Sequence, residues 1–395
     1  MAEEITFHEK LGKGGYGSVY KCKNGLGETL AAKRIKNDET GITCLMEISI
    51  MTSFRHPFLN VAKQIHIEND YIYIFMDLAD GDLDCLKSER KLPDIRQLQR
   101  WAFQLVEAVH CLHSEGIIHC DIKAANVLRY GNDVRLSDFT LATKKWYSHT
   151  KYRHNICTCT HRPLEVFLQR DWDESVDIWS LGCTLYEIAY GELLFPYQGA
   201  GETTETRNVR DKCVNCILDW ADRIAEQPIH IQRRPVEFVF SQRNPLTEQP
   251  EYYQFNDLLS RMLRLDPKER ATSLELMQHP FFTGFMASPY SVTQPNLTTL
   301  PESDLILYET GALSLMKESK MSAEELIVNL GREIFKRSGR LSIIAKNLRI
   351  LASLYIASKL VSRVPIELGA LKKKILEAER AICTNLNFRF CLPSS

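Results

Sequence analysis

At 395 residues, with 44% hydrophobic and 25% charged residues, the chain is long enough for two or three separately cored units of ordinary globular composition. Its formal net charge of −1 gives no global basic field to attract nucleic acid or an anionic membrane, and no apolar run approaches the ~20 residues that span a bilayer. The acidic opening Met1-Ala2-Glu3-Glu4 lacks the basic and apolar regions of a secretory signal, so an intracellular protein, cytoplasmic or nuclear, is expected.

In chain order, Ile5 to Leu11 and Ser18 to Lys23 read as strands flanking a glycine cluster, and Thr29 to Ile35 alternates as a third strand does. Leu45, Ile48 and Met51 recur at helical spacing, and Tyr71 to Phe75 is again strand-like. Beyond it the pattern turns helical. Trp101, Leu105, Ala108, Val109 and Leu112 form one apolar stripe; Ile178, Leu181, Leu185 and Ile188 form another. Gly199 to about Pro250 is polar and reads as a surface insertion. Met286 to Ser303 carries three prolines among Ser, Thr and Asn, which is linker composition, and helical periodicity resumes from Leu305 to Phe390. Twelve cysteines include two close pairs, Cys157-x-Cys159 and Cys213-x-x-Cys216, without partners at zinc-knuckle spacing; reduced thiols are expected.

Gly12-Lys13-Gly14-Gly15-Tyr16-Gly17-Ser18-Val19 fits G-x-G-x-x-G-x-V between two predicted strands. Glycines let a hairpin backbone lie over phosphates where a Cβ would intrude. A strand follows rather than the helix of a dinucleotide fold. Lys33 lies on the next strand and Glu47 in the following helix; an ammonium held by a carboxylate can bind phosphates without collapsing onto them. His119-Cys120-Asp121-Ile122-Lys123-Ala124-Ala125-Asn126 is followed after a short strand by Asp138-Phe139-Thr140.

With this last cluster the chain resembles the protein kinases, matching H-R-D-L-K-x-x-N and D-F-G except at Cys120, Ile122 and Thr140. Thr158, Arg162 and Glu165, then Asp177-Ile178-Trp179-Ser180-Leu181-Gly182, then Arg270 before His279-Pro280-Phe281-Phe282, extend the likeness over roughly residues 5 to 285. The resemblance implies an α+β, bilobal kinase fold with a β-rich N-lobe and a helical C-lobe over 1–285. It implies ATP and Mg²⁺, protein substrates, and Lys123 as the serine/threonine-type signature. Asp121 would orient the acceptor hydroxyl, Lys123 neutralise the transferred phosphoryl group, and Asn126 and Asp138 hold Mg²⁺. Thr158 would join this catalytic group with Lys33 and Glu47. Leu11, Gly12, Lys13, Gly14, Gly15, Tyr16, Gly17, Val19, Ala31, Asp77 and Ala79, together with Lys33 and Asn126, would surround the nucleotide. Tyr16 either is an inhibitory modification site, as in the family, or covers the phosphates as an aromatic.

Gly41 to Ile48 resembles the cyclin-binding helix of cyclin-dependent kinases, and Arg162 is where that group carries an arginine linked to proline after the target residue. Thr160 and His161 depart from the family there. The family's activating threonine falls on Arg153, and its three phosphate-clamping arginines fall on Met46, Cys120 and Thr143. Losing the dianion and its partners together points to activity without activation-loop phosphorylation.

Beyond a linker over 286–303, residues 304–395 form a second expected unit, all-helical. Leu351 to Lys359 and Glu377 to Phe390 resemble the later part of a cyclin box, with Lys359 and Glu379 where cyclins grip a kinase. In a plain helical domain the two would pair with each other. The resemblance implies that this module, or a separate cyclin, is the activating partner. A pseudokinase scaffold that recruits partners through the module is the rival reading.

Overall fold

A computed structural model describes residues 5–14, 17–36, 45–68, 71–86, 92–145, 156–196, 207–225 and 250–292. Gly15, Tyr16, Ser148, Thr150, Arg153 and the expected helical module with Lys359 and Glu379 lie outside the described residues. The described residues fall into two units. One comprises residues up to Arg55, Val61–Leu78 and those from Ser291; the other comprises His56–Asn60 and Ala79–Tyr290. No helix among them is long and apolar enough to cross a membrane.

The first unit is a five-stranded antiparallel sheet with one helix. Its elements are β1 (Thr6–Gly14), β2 (Gly17–Lys23), β3 (Thr29–Lys36), α1 (Leu45–Ser53), β4 (Phe54–Arg55), β5 (Gln64–Glu68) and β6 (Tyr71–Asp77). The sheet order is β1-β2-β3-β6-β5. The β2–β3 turn is pinned by Asn24, whose Oδ1 accepts the Leu26 and Glu28 amides at 3.1 and 2.9 Å. Gly17 is required by its own sheet, because a Cβ there would stand 2.5 Å from the Arg34 carbonyl oxygen. Register sets Lys33 opposite Val19 on one side and Ile74 on the other.

The second unit is mostly helical. It contains β7 (Gly81–Asp82), α2 (Ile95–Ser114), β8 (Ile117–Ile118), β9 (Val127–Tyr130), β10 (Asp133–Leu136), β11 (Thr143–Lys144), α3 (Leu164–Phe167), α4 (Ser175–Tyr190), α5 (Arg207–Ala225), α6 (Pro250–Met262) and α7 (Ser273–Met277). α2 begins where Asp94 accepts the Gln97 amide at 2.8 Å, and the stripe from Trp101 to Leu112 is buried as expected. α4 is buried from Val176 to Ala189 and ends at Gly191, which is left-handed and returns its N–H to Glu187. Gly182 permits close passage of the end of α6, since a Cβ would meet Met262 at 3.2 Å and Leu263, just beyond the helix, at 2.9 Å. Arg270 and Glu165 form a buried bidentate pair at 2.6 and 2.9 Å, with the guanidinium 5.1 Å from the Trp179 ring centre.

Two expectations need correction. Residues 207–225 are no surface insertion, because α5 buries Cys213, Ile217 and Trp220, and the Trp220 indole stands edge-on to Phe195 at 5.4 Å. The polar face of this amphipathic helix had masked its core face. The start of the linker is also structured. Ser288 donates its amide to Glu107, Tyr290 packs on His56 at 5.7 Å, and β12 (Ser291–Val292) pairs with β4.

Candidate active site

In the first unit, β3 and α1 bring Lys33 and Glu47 together as expected, in an ammonium–carboxylate bond whose carboxylate is buried and whose ammonium is partly exposed. Gly12, Lys13 and Gly14 close β1, Gly17 and Val19 lie on β2, and Ala31 is buried on β3. Leu11 is one of the exposed apolar side chains. The carboxylate of Asp77, at the end of β6, is taken by Lys63 at 2.6 Å.

In the second unit the catalytic-loop residues converge, and Ala79 opens the segment that leads into β7. Asp121 follows β8 on a loop that no repetitive structure supports, so hydrogen bonds fix it. The Thr158 amide and hydroxyl donate to Asp121 Oδ1 at 3.0 and 2.7 Å. Lys123 Nζ donates to Oδ2 at 2.9 Å and to the Thr158 hydroxyl at 2.9 Å. Asn126 Nδ2 reaches Oδ2 at 3.1 Å and the Asp121 carbonyl at 2.8 Å. Burial pushes the Asp121 carboxyl up, but the Lys123 charge and the bonds from Lys123 and Thr158 outweigh it. The group is held below the usual carboxylate range and is ionised at neutral pH.

The supports of this loop are equally specific. His119 Nδ1 accepts the Asp121 amide at 3.2 Å, so its proton sits on Nε2, which donates to the Ser137 carbonyl at 3.0 Å. Asp177, wholly buried in the first turn of α4, accepts the His119 and Cys120 amides at 2.7 and 2.8 Å and the His113 ring at 3.0 Å. The motif containing Asp177 is visible in the sequence, but this role is not; a carboxylate inside an apolar helix is the one signal for it. Cys120 takes a left-handed backbone, φ 66°, held between Asp177 and the Cys157 amide that donates to its carbonyl at 2.8 Å.

Oxygen donors suited to a hard cation are also present. Asn126 spends its Nδ2 within the loop, which leaves Oδ1, and Asp138 contributes a carboxylate from a left-handed residue, φ 63° and ψ 70°. Among the described residues no group of three or more His, Cys, Asp or Glu forms a metal cage. An amide oxygen and a carboxylate suit Mg²⁺, which takes few protein ligands and keeps water and phosphate ligands. Thr140, where the family has glycine, needs no glycine here. It sits in the 3₁₀ turn Phe139–Leu141 without positive φ, and its hydroxyl donates to Asp138 Oδ1.

Residues 5–282 match the protein kinase domain family. A Trypanosoma brucei brucei protein named cell division control protein 2 homolog 3 is 30% identical over 287 residues, covering 70% of this chain and 91% of its own length. The CTD kinase subunit alpha of Schizosaccharomyces pombe is 29% identical over 293 residues, covering 71% of this chain and 49% of that protein. The chain belongs to the protein kinase domain family and is a protein serine/threonine kinase.

Proposed function

We propose that the chain transfers the γ-phosphoryl group of Mg-ATP to protein serine and threonine hydroxyls through Asp121, without phosphorylation of its activation segment. The observation that carries the proposal is the Asp121 carboxylate, ionised and fixed on both oxygens by Thr158, Lys123 and Asn126. Phosphoryl transfer asks mainly for positioning and charge compensation. Asp121 would orient the acceptor hydroxyl and take its proton. Lys123 would supply positive charge beside it, and Lys33, kept extended by Glu47, would supply an ammonium for nucleotide phosphates. Mg²⁺, held by Asn126 and Asp138, supplies neutralisation of phosphate charge when bound.

Cys120 supports activity without a loop phosphate. The residue standing where the family has a phosphate-clamping arginine is packed in an apolar cluster with Ile118, Ile156, Cys157, Val166, Trp172 and Val176. Apolar burial and the Cys157–Cys120 backbone bond thus fix the segment end that a phosphate would otherwise organise. Arg162 completes the anchorage, donating to the Ile156 carbonyl at 2.8 Å and twice to that of Cys157, at 3.2 and 2.8 Å. With both lone pairs of the Cys157 carbonyl taken, an amide N–H in a bound peptide finds no acceptor there. We therefore also propose a preference for proline, which has no N–H, after the target residue.

The proposed division is a kinase domain over 1–285, a linker over 286–303 whose first residues, up to Val292, pack as described above, and a cyclin-like module over 304–395 that acts in cis. What favours cis action is the exit of the chain. β12 pairs with β4, the two residues directly after α1, so the tether starts beside the helix that carries Glu47. A short tether holds a partner at an effective concentration of order millimolar. Comparing full-length chain, a chain ending at Val292 and Lys359→Glu in γ-phosphoryl transfer to proline-directed peptides tests this. Loss in both altered chains, restored to the truncated one by a separate 293–395 segment, is expected. Equal activity in all three would remove the module's activating role.

A further inference from the structure

Of the chain's 15 prolines, only Pro289 follows a serine or threonine, namely Ser288. The pair lies between the 3₁₀ turn Pro280–Phe282 and β12, within residues 285–290, which form neither helix nor strand. Met286, Ala287, Pro289 and Tyr290 around it are exposed. An irregular surface segment can be drawn into a neighbouring cleft without breaking helical or strand bonds.

Ser288 is also where this segment is tied down. Its amide donates to Glu107 Oε1 on α2. Glu107 is 3% exposed, and its Oε2 has no hydrogen-bond partner among the described residues. The His56 ring stands 3.8 Å from Oε1, and Tyr290 packs on that ring at 5.7 Å. Burial keeps His56 neutral at physiological pH, so it offers a new anion no charge. Just beyond, Ser291 and Val292 pair with Arg55 and Phe54.

We propose that Ser288 is a phosphorylation site, modified by the Asp121 centre of a second copy of this chain, and that the phosphate detaches residues 286–290 from α2. This rests on the proline preference proposed above. Ser288 Oγ bonds to the γ-phosphorus of ATP, the bond from that phosphorus to the β,γ-bridging oxygen breaks, and ADP leaves with the electron pair. The hydroxyl proton passes to Asp121 of the acting copy, and phosphoserine and ADP are the products. A second copy acts because Ser288 is tied to α2 and the chain just past it to β4, whereas its own Asp121 is engaged by Thr158, Lys123 and Asn126. The phosphate brings about two negative charges beside a buried carboxylate that already lacks a partner for one oxygen. Like charges disfavour the closed segment, and moving the phosphoserine into water relieves them.

The test incubates full-length Asp121→Asn chain, isotope-labelled to tell it from the enzyme, with wild-type chain, Mg-ATP and a Ser-Pro peptide. Mass spectrometry locates the phosphate, and hydrogen exchange follows the Ser288 amide. Phosphate on Ser288 of the labelled chain is expected, at a rate that scales with enzyme concentration. Pro289→Ala in the acceptor should slow it at least about fivefold, because the restored N–H meets the saturated Cys157 carbonyl. Exchange at the Ser288 amide should be roughly 10- to 150-fold faster once phosphorylated, the loss of one bond to a charged group. An acceptor carrying Ser288→Ala, whose amide stays on Glu107, should keep slow exchange in the same mixture. Phosphorylated peptide with unmodified Ser288 overturns this proposal and leaves the kinase reading standing, whereas transfer to neither overturns both. Phosphate confined to the wild-type copies overturns transfer between copies, and unchanged exchange in phosphorylated chain overturns the detachment.

Discussion

Thr158→Ala deletes one hydroxyl and with it two bonds, the donation to Asp121 Oδ1 at 2.7 Å and the acceptance from Lys123 Nζ at 2.9 Å. The Thr158 amide stays on Oδ1 at 3.0 Å, so the loop should keep its course while the carboxylate and the ammonium lose their common anchor. A hydrogen bond to a charged group contributes about 1.5–3 kcal/mol. At 1.36 kcal/mol per factor of ten, loss of one such bond's worth of positioning lowers kcat by roughly 10- to 150-fold. Thr158→Ser restores the hydroxyl and should return kcat to within about threefold of wild type, well inside the cost of one bond. Steady-state kinetics on a serine peptide, with unfolding curves to show that all three proteins are equally folded, give the answer. Thr158→Ala within threefold of wild type, or Thr158→Ser as impaired as alanine, would refute the assignment of this hydroxyl.

Other substitutions probe the supports. Arg270→Leu should lower stability by about 3–5 kcal/mol because Glu165 is left as a buried unpaired charge, whereas Arg270→Leu with Glu165→Leu should recover most of it; urea denaturation reports both. Asp177→Asn leaves one acceptor oxygen for two loop amides, so kcat should fall at least about tenfold, with faster hydrogen exchange at His119 and Cys120. Burial lowers the His56 ring to about 4, against 6.5 ordinarily. The unfolded chain therefore binds the extra proton first, and stability falls as pH drops from 6.5 toward 4. Relative to His56→Phe, the wild type should lose about 3 kcal/mol over that window, read from urea midpoints at each pH. Glu107, whose carboxyl burial pushes up, lies 3.8 Å from the His56 ring and is coupled to it, so both proteins are compared in a Glu107→Gln background to keep its own proton out of the window.

Legibility in the sequence tracked the kind of constraint. The stripe Trp101–Leu112 and the run Val176–Ala189 were readable because burial alone dictates their residue types. The catalytic loop was readable because its chemistry restricts each position, and Asp121, Lys123, Asn126 and Thr158 do meet. What could not be read depends on backbone conformation or on contacts between residues far apart in the chain. The left-handed Cys157 has no glycine to announce it, and the two Arg162 bonds to its carbonyl require it. Thr140 illustrates the converse: the family pattern suggests a demand for glycine, but the 3₁₀ turn places the left-handed residue at Asp138 instead. Trp220 lay within a polar stretch, where one buried face of α5 is diluted by charged neighbours.

The most direct test of a kinase fixed by apolar packing rather than a loop phosphate is γ-phosphoryl transfer by full-length chain treated with phosphatase and shown by intact mass to carry no phosphate. Turnover on serine and threonine substrates should equal that of the untreated chain and be abolished by Asp121→Asn. An unphosphorylated chain that stays inactive until Ser148 or Thr150 is phosphorylated would contradict it.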